Sequence, residues 1–295
     1  MKWLIEKEYA GMNIRDYLTE VHRFSRRILI AVKKENKGIT VNGSPQTVRY
    51  VLVEGDKLEV HFPPEEVSEH MRAEPMDLDI VYEDPSVLVL NKPADRATLP
   101  SRHHPQGTVA NGILYYYKRK QIESTVHVVT RLDRETSGLL LIAKNRYSHS
   151  ILAVMQKEGK IDRKYLALVE GKVEQDRGTI DAPIDREDDS IIKRAVKAGG
   201  KRAITHYKVL ERLQGYTLVE VDLETGRTHQ IRVHFSHMGH PLAGDDLYGG
   251  SKDPFFRHAL HCVELRLTHP FTEEYLLFRG ELPDDFNSWI IALRP

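Results

Sequence analysis

A carboxylate flanked by arginines, just before an apolar run, is the feature of this sequence best suited to chemistry. Residues 131–145 read RLDRETSGLLLIAKN, and Asp133 lies in them between Arg131 and Arg134. A polar loop that leads into a buried strand holds a reactive side chain still, because the strand is anchored in the core. Asp133 is therefore our candidate for the chemistry, although a surface loop of ion pairs would give the same short pattern.

The residue set around this loop suits a rearrangement that needs no cofactor. The chain has no G-x-x-x-x-G-K-[ST] phosphate loop, no G-x-G-x-x-G turn after a strand and no G-x-S-x-G nucleophile elbow. When a sugar–base bond breaks, positive character develops on the sugar, and a carboxylate can attack that centre or accept a proton beside it. The base must first leave its stack, which arginine and aromatic side chains can support.

Four histidines, at positions 229, 234, 237 and 240, raise the alternative of a metal site. His234 and His237 lie three residues apart on one helix face and could hold a metal together with an acid such as Asp245. Nothing like H-E-x-x-H is present. We therefore expect no metal and no cofactor, and we interpret the histidines as hydrogen-bonded structure or phosphate contacts.

Length and composition predict a cytoplasmic protein of one or two domains. The 295 residues are 40% hydrophobic, which is enough to form a core. No apolar run approaches the roughly 18 residues that a membrane helix needs, and the amino terminus has no signal-peptide core. Cys262 is the only cysteine, so no disulfide can form within the chain. We expect a monomer with no membrane partner.

Residues 1–64 predict a small α+β domain with a basic face. Apolar residues at helical spacing give two short helices over 11–34, followed by a strand that enters an Asn-Gly turn and a second strand from Lys57. The segments GITVNGSP and EGDKLEV resemble the S-four-like RNA-binding fold. A solvated helix face would also explain the cations. The residues expected to contact RNA are Arg23, Arg26, Arg27, Lys33, Lys34 and Lys37.

Residues 65–75 are polar and bounded by prolines, which predicts a linker, and residues 76–295 form the second domain. Strands dominate this domain and helices are inserted, so we expect an α+β fold with a mostly antiparallel mixed sheet. Residues 178–195 are polar and predict an excursion from the sheet. The elements expected elsewhere are hairpins over 78–91 and 259–279, helices over 109–120 and 145–157, a strand over 138–143, and a helix capped by Thr228.

Several separated blocks resemble the RluA-like pseudouridine synthases of the ribosomal large-subunit type. RLDRETSGLLLIAKN is similar to that family's active-site motif, H-R-L-D-x-x-T-S-G. Several independent blocks in the correct order are far more specific than one motif. The further blocks that resemble the family are Lys92-Pro93, Arg163-Lys164-Tyr165, TGRTHQIRVH at 225–234, GDDLYG at 244–249, His269-Pro270 and Leu282-Pro283.

The resemblance implies roles for individual residues. Asp133 corresponds to the catalytic aspartate, Arg131 to the arginine that aids base flipping, and Tyr165 to the tyrosine that packs on the target uracil. Arg232 corresponds to the arginine that pairs with the aspartate, and a nearby cation favours the ionised carboxylate. The neighbours expected to wall the base pocket are Ile231 and Val233.

The activity that the resemblance implies is isomerisation of specific uridines to pseudouridine in structured RNA, with large-subunit ribosomal RNA as the expected substrate. The alternatives are a transfer RNA substrate, a non-catalytic RNA-binding or ribosome-assembly factor, and a metal-dependent RNA hydrolase built on the histidines. Thr130 departs from the family, which often has His there, so we expect local base or backbone contacts to differ. That His is not the catalytic group, and the departure therefore leaves the implied activity in place.

Overall fold

The computed structural model of the protein describes residues 1–35, 37–65, 67, 71–101 and 105–294. The α-helices in these ranges are α1 (Ile14–Asp16), α2 (Arg26–Lys34), α3 (Val109–Lys120), α4 (Arg146–Lys157), α5 (Gln230–His237) and α6 (Asp284–Leu293). The strands are β1 (Lys2–Leu4), β2 (Ile39–Val41), β3 (Ser44–Pro45), β4 (Lys57–Val60), β5 (Ile80–Glu83), β6 (Val87–Lys92), β7 (His127–Val128), β8 (Ser137–Ala143), β9 (Ile161–Glu170), β10 (Arg177–Asp181), β11 (Ile184–Arg186), β12 (Arg194–Val196), β13 (Ile204–Arg212), β14 (Tyr216–Leu223), β15 (Leu260–Thr268) and β16 (Tyr275–Arg279).

A small antiparallel sheet of β1 to β4, in the order β1-β4-β2-β3, forms the amino-terminal part. The β2–β3 hairpin turns at Asn42 and Gly43, whose φ angles of 52° and 80° are those that a two-residue hairpin turn requires. Helix α1 continues as a π-helical turn, and α2 follows it. The predicted helices and hairpin are therefore confirmed, whereas β1 was not predicted.

The second part is a large mixed sheet in the order β10-β13-β14-β9-β15-β8-β6-β5, with β7 beside β8 and β16 beside β15. Strands β8 and β15 are parallel, and the other strand pairs among the described residues are antiparallel. All seven residues of β8 and the first four of β6 are buried, as in central strands covered on both faces. The predicted α+β class with inserted helices is confirmed.

Gly138 allows β8 and β15 to approach each other closely. Its φ of +110° lies outside the range of most L-residues, and a Cβ built there would lie 2.3 Å from the carbonyl oxygen of Cys262. Ser137 and Gly138 pair in parallel with His261 and Cys262. A side chain at position 138 would push β15 away from the loop that carries Asp133.

The described residues of the predicted linker are held against the second part of the chain. The carboxylate of Glu65 lies 2.5 Å from Nε2 of His127 and accepts a bond from the Arg146 backbone N–H at 2.9 Å. Glu74 accepts a bond from the Gly107 N–H at 2.8 Å. Residues 66 and 68–70 of the expected linker lie outside the described residues.

The amino-terminal part packs directly on α4. The Tyr147 hydroxyl donates to the carbonyl oxygen of His22 at 3.0 Å, and the Tyr147 ring lies 4.6 Å from the Phe24 ring and 6.1 Å from the Phe62 ring. Buried apolar residues from both parts belong to one continuous cluster. The two parts therefore share apolar packing as well as the chain connection.

Two regions differ from the predictions. Strand β10 pairs with β13 at the edge of the large sheet, so the expectation of an excursion is wrong for residues 178–181. Strands β11 and β12 form a separate two-stranded hairpin outside the large sheet, which agrees with that expectation for the rest of the segment. Helix α6 was not predicted. No helix among the described residues is long and apolar enough to cross a membrane.

Candidate active site

The loop between β7 and β8 carries Asp133 and is held on both sides. Thr98 donates through its hydroxyl to the Leu132 carbonyl at 2.8 Å, and the Asp133 carbonyl accepts from the Thr136 N–H at 3.2 Å. The Thr130 hydroxyl accepts a bond from the Leu141 N–H at 3.0 Å. Thr130, where the related family often has His, is 1% exposed and therefore serves the backbone of the loop.

Lys92 ties a second loop to the first. Its ammonium group is buried and donates to three carbonyl oxygens, those of Pro93 and Arg96 at 2.7 Å and that of Arg134 at 3.0 Å. Burial lowers the pKa of Lys92 to about 7, and the nearby charge of Asp133 opposes this shift. The Lys-Pro block thus anchors the loop after β6 to the loop that presents Asp133.

A chain of charges joins Asp133 to the interior. Nη1 of Arg232 donates to Oδ2 of Asp133 at 3.0 Å. The other side of the same guanidinium donates two hydrogen bonds to the Asp245 carboxylate, from Nε at 2.7 Å and from Nη2 at 2.8 Å. The Asp245 side chain is fully buried, whereas that of Asp133 is 27% exposed. Arg232 is therefore oriented from behind by Asp245 and presents one N–H to Asp133.

The surroundings of Asp133 favour its ionised form. Burial alone would raise the pKa of this carboxyl group, but the positive charges of His229, when protonated, and of Arg232 outweigh burial and lower the pKa below its usual value. Nε2 of His229 lies 3.8 Å from Oδ2 of Asp133. At neutral pH Asp133 is thus a carboxylate that faces a partly open space.

Tyr248 supports this arrangement from the side. Its hydroxyl lies 2.8 Å from Nδ1 of His229, and its ring lies 5.0 Å from the guanidinium carbon of Arg232. Burial raises the pKa of Tyr248 to about 12, so the phenol stays protonated. Sequence reasoning did not assign Asp245, Tyr248 or His229 to this site, although the GDDLYG block contains the first two.

Helix α5 is held by a buried amide. The Gln230 side chain accepts from the Thr225 hydroxyl at 2.8 Å and from the Arg227 N–H at 2.9 Å, and donates to the Ile204 carbonyl at 2.9 Å. The N-cap is His229, with φ 57° and no side-chain cap bond, so the predicted cap at Thr228 is wrong. Gln230 thus fixes the turn that places Arg232 beside Asp133.

Asp133 opens into a cleft of about 660 Å³. Arg131 is exposed at this cleft and forms no ion pair with a described residue. Tyr165 is 4% exposed, and its hydroxyl accepts a bond from Nη1 of Arg163 at 3.3 Å. The predicted site residues that line the cleft are Arg131, Asp133, Tyr165, Ile231 and Arg232.

Val233 does not join these residues. It is 3% exposed and packs with Ile184, Ala203 and Tyr248 in a separate buried cluster. Successive residues of a helix point in different directions, so Ile231 and Val233 cannot share one wall. The expectation that Val233 walls the pocket is therefore wrong. Val233 instead packs in the buried cluster that contains Tyr248.

The six predicted RNA-contacting cations lie in and around α2. All six are exposed, and none forms an ion pair with another described residue. Arg26, Arg27, Lys33 and Lys34 belong to α2 itself, whose apolar face is buried. The four helical cations lie on one solvated face at helical spacing, and Arg23 and Lys37 flank the helix in sequence.

The side chains proposed to hold a metal do not come together. Of the two proposed histidine ligands, His234 is buried and bonds to the Thr205 hydroxyl and to the Ala182 carbonyl, both at 2.9 Å, whereas His237 is exposed. His240, the last of the four histidines, bonds to the Glu170 carbonyl at 2.8 Å. Asp245 is occupied by Arg232. Within the described part of the chain, no group of three or more His, Cys, Asp or Glu side chains is placed to hold a metal ion.

Comparison with known proteins identifies the family. A family model described as RNA pseudouridylate synthase matches residues 86–237. An uncharacterized RNA pseudouridine synthase of Bacillus subtilis, YjbO, is 49% identical over 95% of this chain and 98% of its own length. The ribosomal large subunit pseudouridine synthase D of Haemophilus influenzae is 38% identical over 98% of this chain and 94% of its own.

A solved structure agrees with these relatives. The human RNA pseudouridylate synthase domain containing 1 superposes with a TM-score of 0.58 and 26% identity, over 78% of this chain and 97% of that one. Similarity therefore extends over nearly the whole chain in sequence and over most of it in structure. The chain belongs to the RNA pseudouridylate synthase family, in its RluA-like branch, and is an isomerase that acts on RNA.

Proposed function

We propose that this enzyme converts specific uridines of large-subunit ribosomal RNA to pseudouridine and that Asp133 is its catalytic residue. The observation that carries the assignment is the guanidinium of Arg232, which lies between Asp133 and the fully buried Asp245. It favours an ionised Asp133 at the edge of a cleft large enough for a nucleotide. The substrate class is supported by the relative from Haemophilus influenzae, which is named for the ribosomal large subunit.

The reaction requires a carboxylate beside the sugar–base bond. That bond breaks through a state with positive character on the sugar, which the charge of Asp133 stabilises and which its oxygen can attack, or whose neighbouring proton it can accept. Uracil then turns and bonds to the sugar through carbon 5, which gives up its hydrogen, while nitrogen 1 takes up a proton. Atoms are conserved, so neither a redox partner nor a cofactor is needed.

Three further residues hold the flipped nucleotide in this proposal. Arg131 is exposed beside Asp133 and free to fill the gap that the uracil leaves in its stack. The Tyr165 ring lies in the floor of the cleft and packs on the uracil, with Ile231 as an apolar wall. Burial raises the pKa of Tyr165, so it acts as a neutral ring and not as a base.

Replacing Tyr165 by Phe and by Leu separates stacking from core packing. Tyr165→Phe keeps the ring and is expected to retain most activity. Tyr165→Leu keeps an apolar side chain in the buried position but removes the ring, and kcat/KM should fall by the equivalent of about 1–3 kcal/mol, the usual value of one base–aromatic stack. Turnover of Tyr165→Leu at the wild-type rate would show that the ring serves only the core.

The amino-terminal residues 1–64 are proposed to be an S-four-like RNA-binding domain, joined through residues 65–75 to a catalytic domain over 76–295. The support is the unpaired cationic face of α2 on a small sheet. Phosphate contacts by these cations would add affinity independent of sequence.

Neutralising Arg26, Arg27, Lys33 and Lys34 with Gln should weaken RNA binding and flatten its dependence on salt. Each phosphate contact adds about 0.7–0.9 to the slope of log K against log salt, so the slope should fall by about 3 if all four residues contact phosphates. Arg49→Gln and Lys57→Gln, at exposed cations of the same part of the chain, serve as the control. An unchanged slope in the α2 variant would remove this face from the RNA interface.

The function itself is tested by mapping pseudouridine in total cellular RNA with and without the gene. We expect one or more pseudouridines to disappear from large-subunit ribosomal RNA and to return when the gene is restored. Loss from transfer RNA alone would select the alternative substrate. No change in any RNA would favour a non-catalytic RNA-binding or assembly factor. The RNA substrate and the lone, buried Cys262 also fit the cytoplasmic monomer that we propose.

A further inference from the structure

A groove of about 600 Å³ lies where the amino-terminal part of the chain meets α4. From the amino-terminal side it is lined by Trp3, Tyr9, His22 and Arg23, and from the other side by Tyr147 and by Phe271 in the turn between β15 and β16. We propose that this groove binds a single-stranded segment of the RNA substrate, with a base stacked among the aromatic rings and a phosphate on Arg23. The proposal rests on the RNA binding proposed above but not on catalysis.

The walls of the groove are rigid on both sides. The Tyr147 hydroxyl bonds to the His22 carbonyl at 3.0 Å, and the His22 ring lies 4.6 Å from the Trp3 ring. Burial lowers the pKa of His22, so its ring is neutral at pH 7. His269 holds the opposite turn, because Nδ1 accepts from the Thr272 N–H at 2.9 Å and Nε2 lies 2.9 Å from Asp84. A base would therefore enter a preformed slot.

Aromatic rings beside unpaired cations are the combination that binds single-stranded RNA. Phe271 is 43% exposed, which leaves its ring free to stack. Arg23 is exposed and forms no ion pair with a described residue, and it lies next to the cationic face of α2. Lys160 adds a second cation to the lining, and its exposed ion pair with Glu158 contributes little in water. Glu273 is the acidic residue of the lining. Arg23 is thus the cation of the lining that remains unpaired among the described residues and can meet a phosphate.

Helix α4 contributes residues both to the groove and to the candidate active site. Tyr147, Ile151 and Met155 line the groove at a spacing of four residues along one face of α4. The next residue, Gln156, lines the catalytic cleft, and its buried Oε1 has no partner among the described residues. An RNA strand bound in both places would therefore cross α4 near its carboxyl end, where Met155 and Gln156 lie.

The test uses the fluorescence of Trp3 in the full-length protein. Trp3 and Trp289 are the two tryptophans of the chain, so Trp289→Phe leaves Trp3 as the reporter in the groove. Oligocytidylate is the probe, because it is single-stranded at neutral pH and contains no uridine that the enzyme could convert. We expect it to change the Trp3 emission to saturation, with the Kd that anisotropy of the labelled oligonucleotide gives.

Matched variants locate the contact. Phe271→Ala should weaken oligocytidylate binding by about 5- to 150-fold, the range for loss of one base stack, whereas Phe256→Ala, at a ring 67% exposed outside the groove, should not. Arg23→Gln should lower the salt slope by about 0.7, and Arg49→Gln should leave it unchanged. Binding by anisotropy without a change in Trp3 emission, or no binding at all, would overturn the proposal. The proposal would also be wrong if a proline-rich peptide changed the Trp3 emission and oligocytidylate did not, because the groove would then bind a protein segment.

Discussion

Arg232→Met should both destabilise the protein and restrict its activity to higher pH. The substitution leaves Asp245, whose side chain is fully buried, without its cation, and loss of one partner from a buried ion pair costs about 3–5 kcal/mol. It also removes a positive charge 3.0 Å from Asp133, so the pKa of Asp133 rises and more of it is protonated at low pH. Urea unfolding and a rate–pH profile should show both effects, with the acid limb moved to higher pH.

A second substitution separates the two effects. In Arg232→Met/Asp245→Asn the buried charge is gone, so we expect part of the lost stability to return. The shift of the acid limb should remain, because Asp133 still lacks its cation. If the single variant instead loses activity by the same factor at every pH, Arg232 acts through geometry and does not keep Asp133 ionised.

The sequence predicted those elements whose signals are local. The predicted ends of helices α3 and α4 agree with the observed ones, because a few neighbouring residues mark each helix. Helix α3 ends in a basic, aromatic last turn, and α4 begins after the N-cap Asn145. The Asn42-Gly43 hairpin was predicted for the same reason. Helix α6 was not predicted, although Pro283 and two aspartates mark its start, because Leu282-Pro283 was interpreted only as a block of the family resemblance.

Two features that depend on distant partners, strand β10 and the start of α5, were not predicted. The polar residues of β10 alternate weakly, and the strand exists because β13 offers it an edge to pair with. The predicted cap of α5 at Thr228 was wrong for a similar reason. Gln230 holds that turn through hydrogen bonds to Ile204 and Thr205, some 25 residues earlier in the chain. No local pattern contains such a bond.

The candidate site was predicted in part. Motif resemblance placed Asp133, Arg131, Tyr165 and Arg232 together, and all four line one cleft. The resemblance did not pair Asp245 with Arg232. In the sequence Asp245 is only an acidic residue in a loop, and nothing there shows that it is buried and accepts two hydrogen bonds from Arg232. That pairing is what turns Arg232 toward Asp133, so the part of the site that sets the charge of the carboxylate became visible only in three dimensions.

Asp133→Asn should abolish turnover while leaving the fold intact. Asn has nearly the same size as Asp and keeps its hydrogen-bonding capacity, but it carries no charge and is a poor nucleophile and base. Arg232 would keep both bonds to Asp245, so the free energy of unfolding should change by no more than about 1 kcal/mol. RNA affinity should stay close to that of the wild type. Activity should fall by at least about 10²–10⁴-fold.

Release of tritium from carbon 5 of uridine tests the assignment of Asp133 most directly. Carbon 5 gives up its hydrogen when it joins the sugar, so RNA labelled there releases tritium to water only on turnover. We expect release by the wild type and by Tyr165→Phe, and none above background by Asp133→Asn at equal RNA occupancy. Release by Asp133→Asn at near the wild-type rate would contradict the assignment of Asp133 as the catalytic residue.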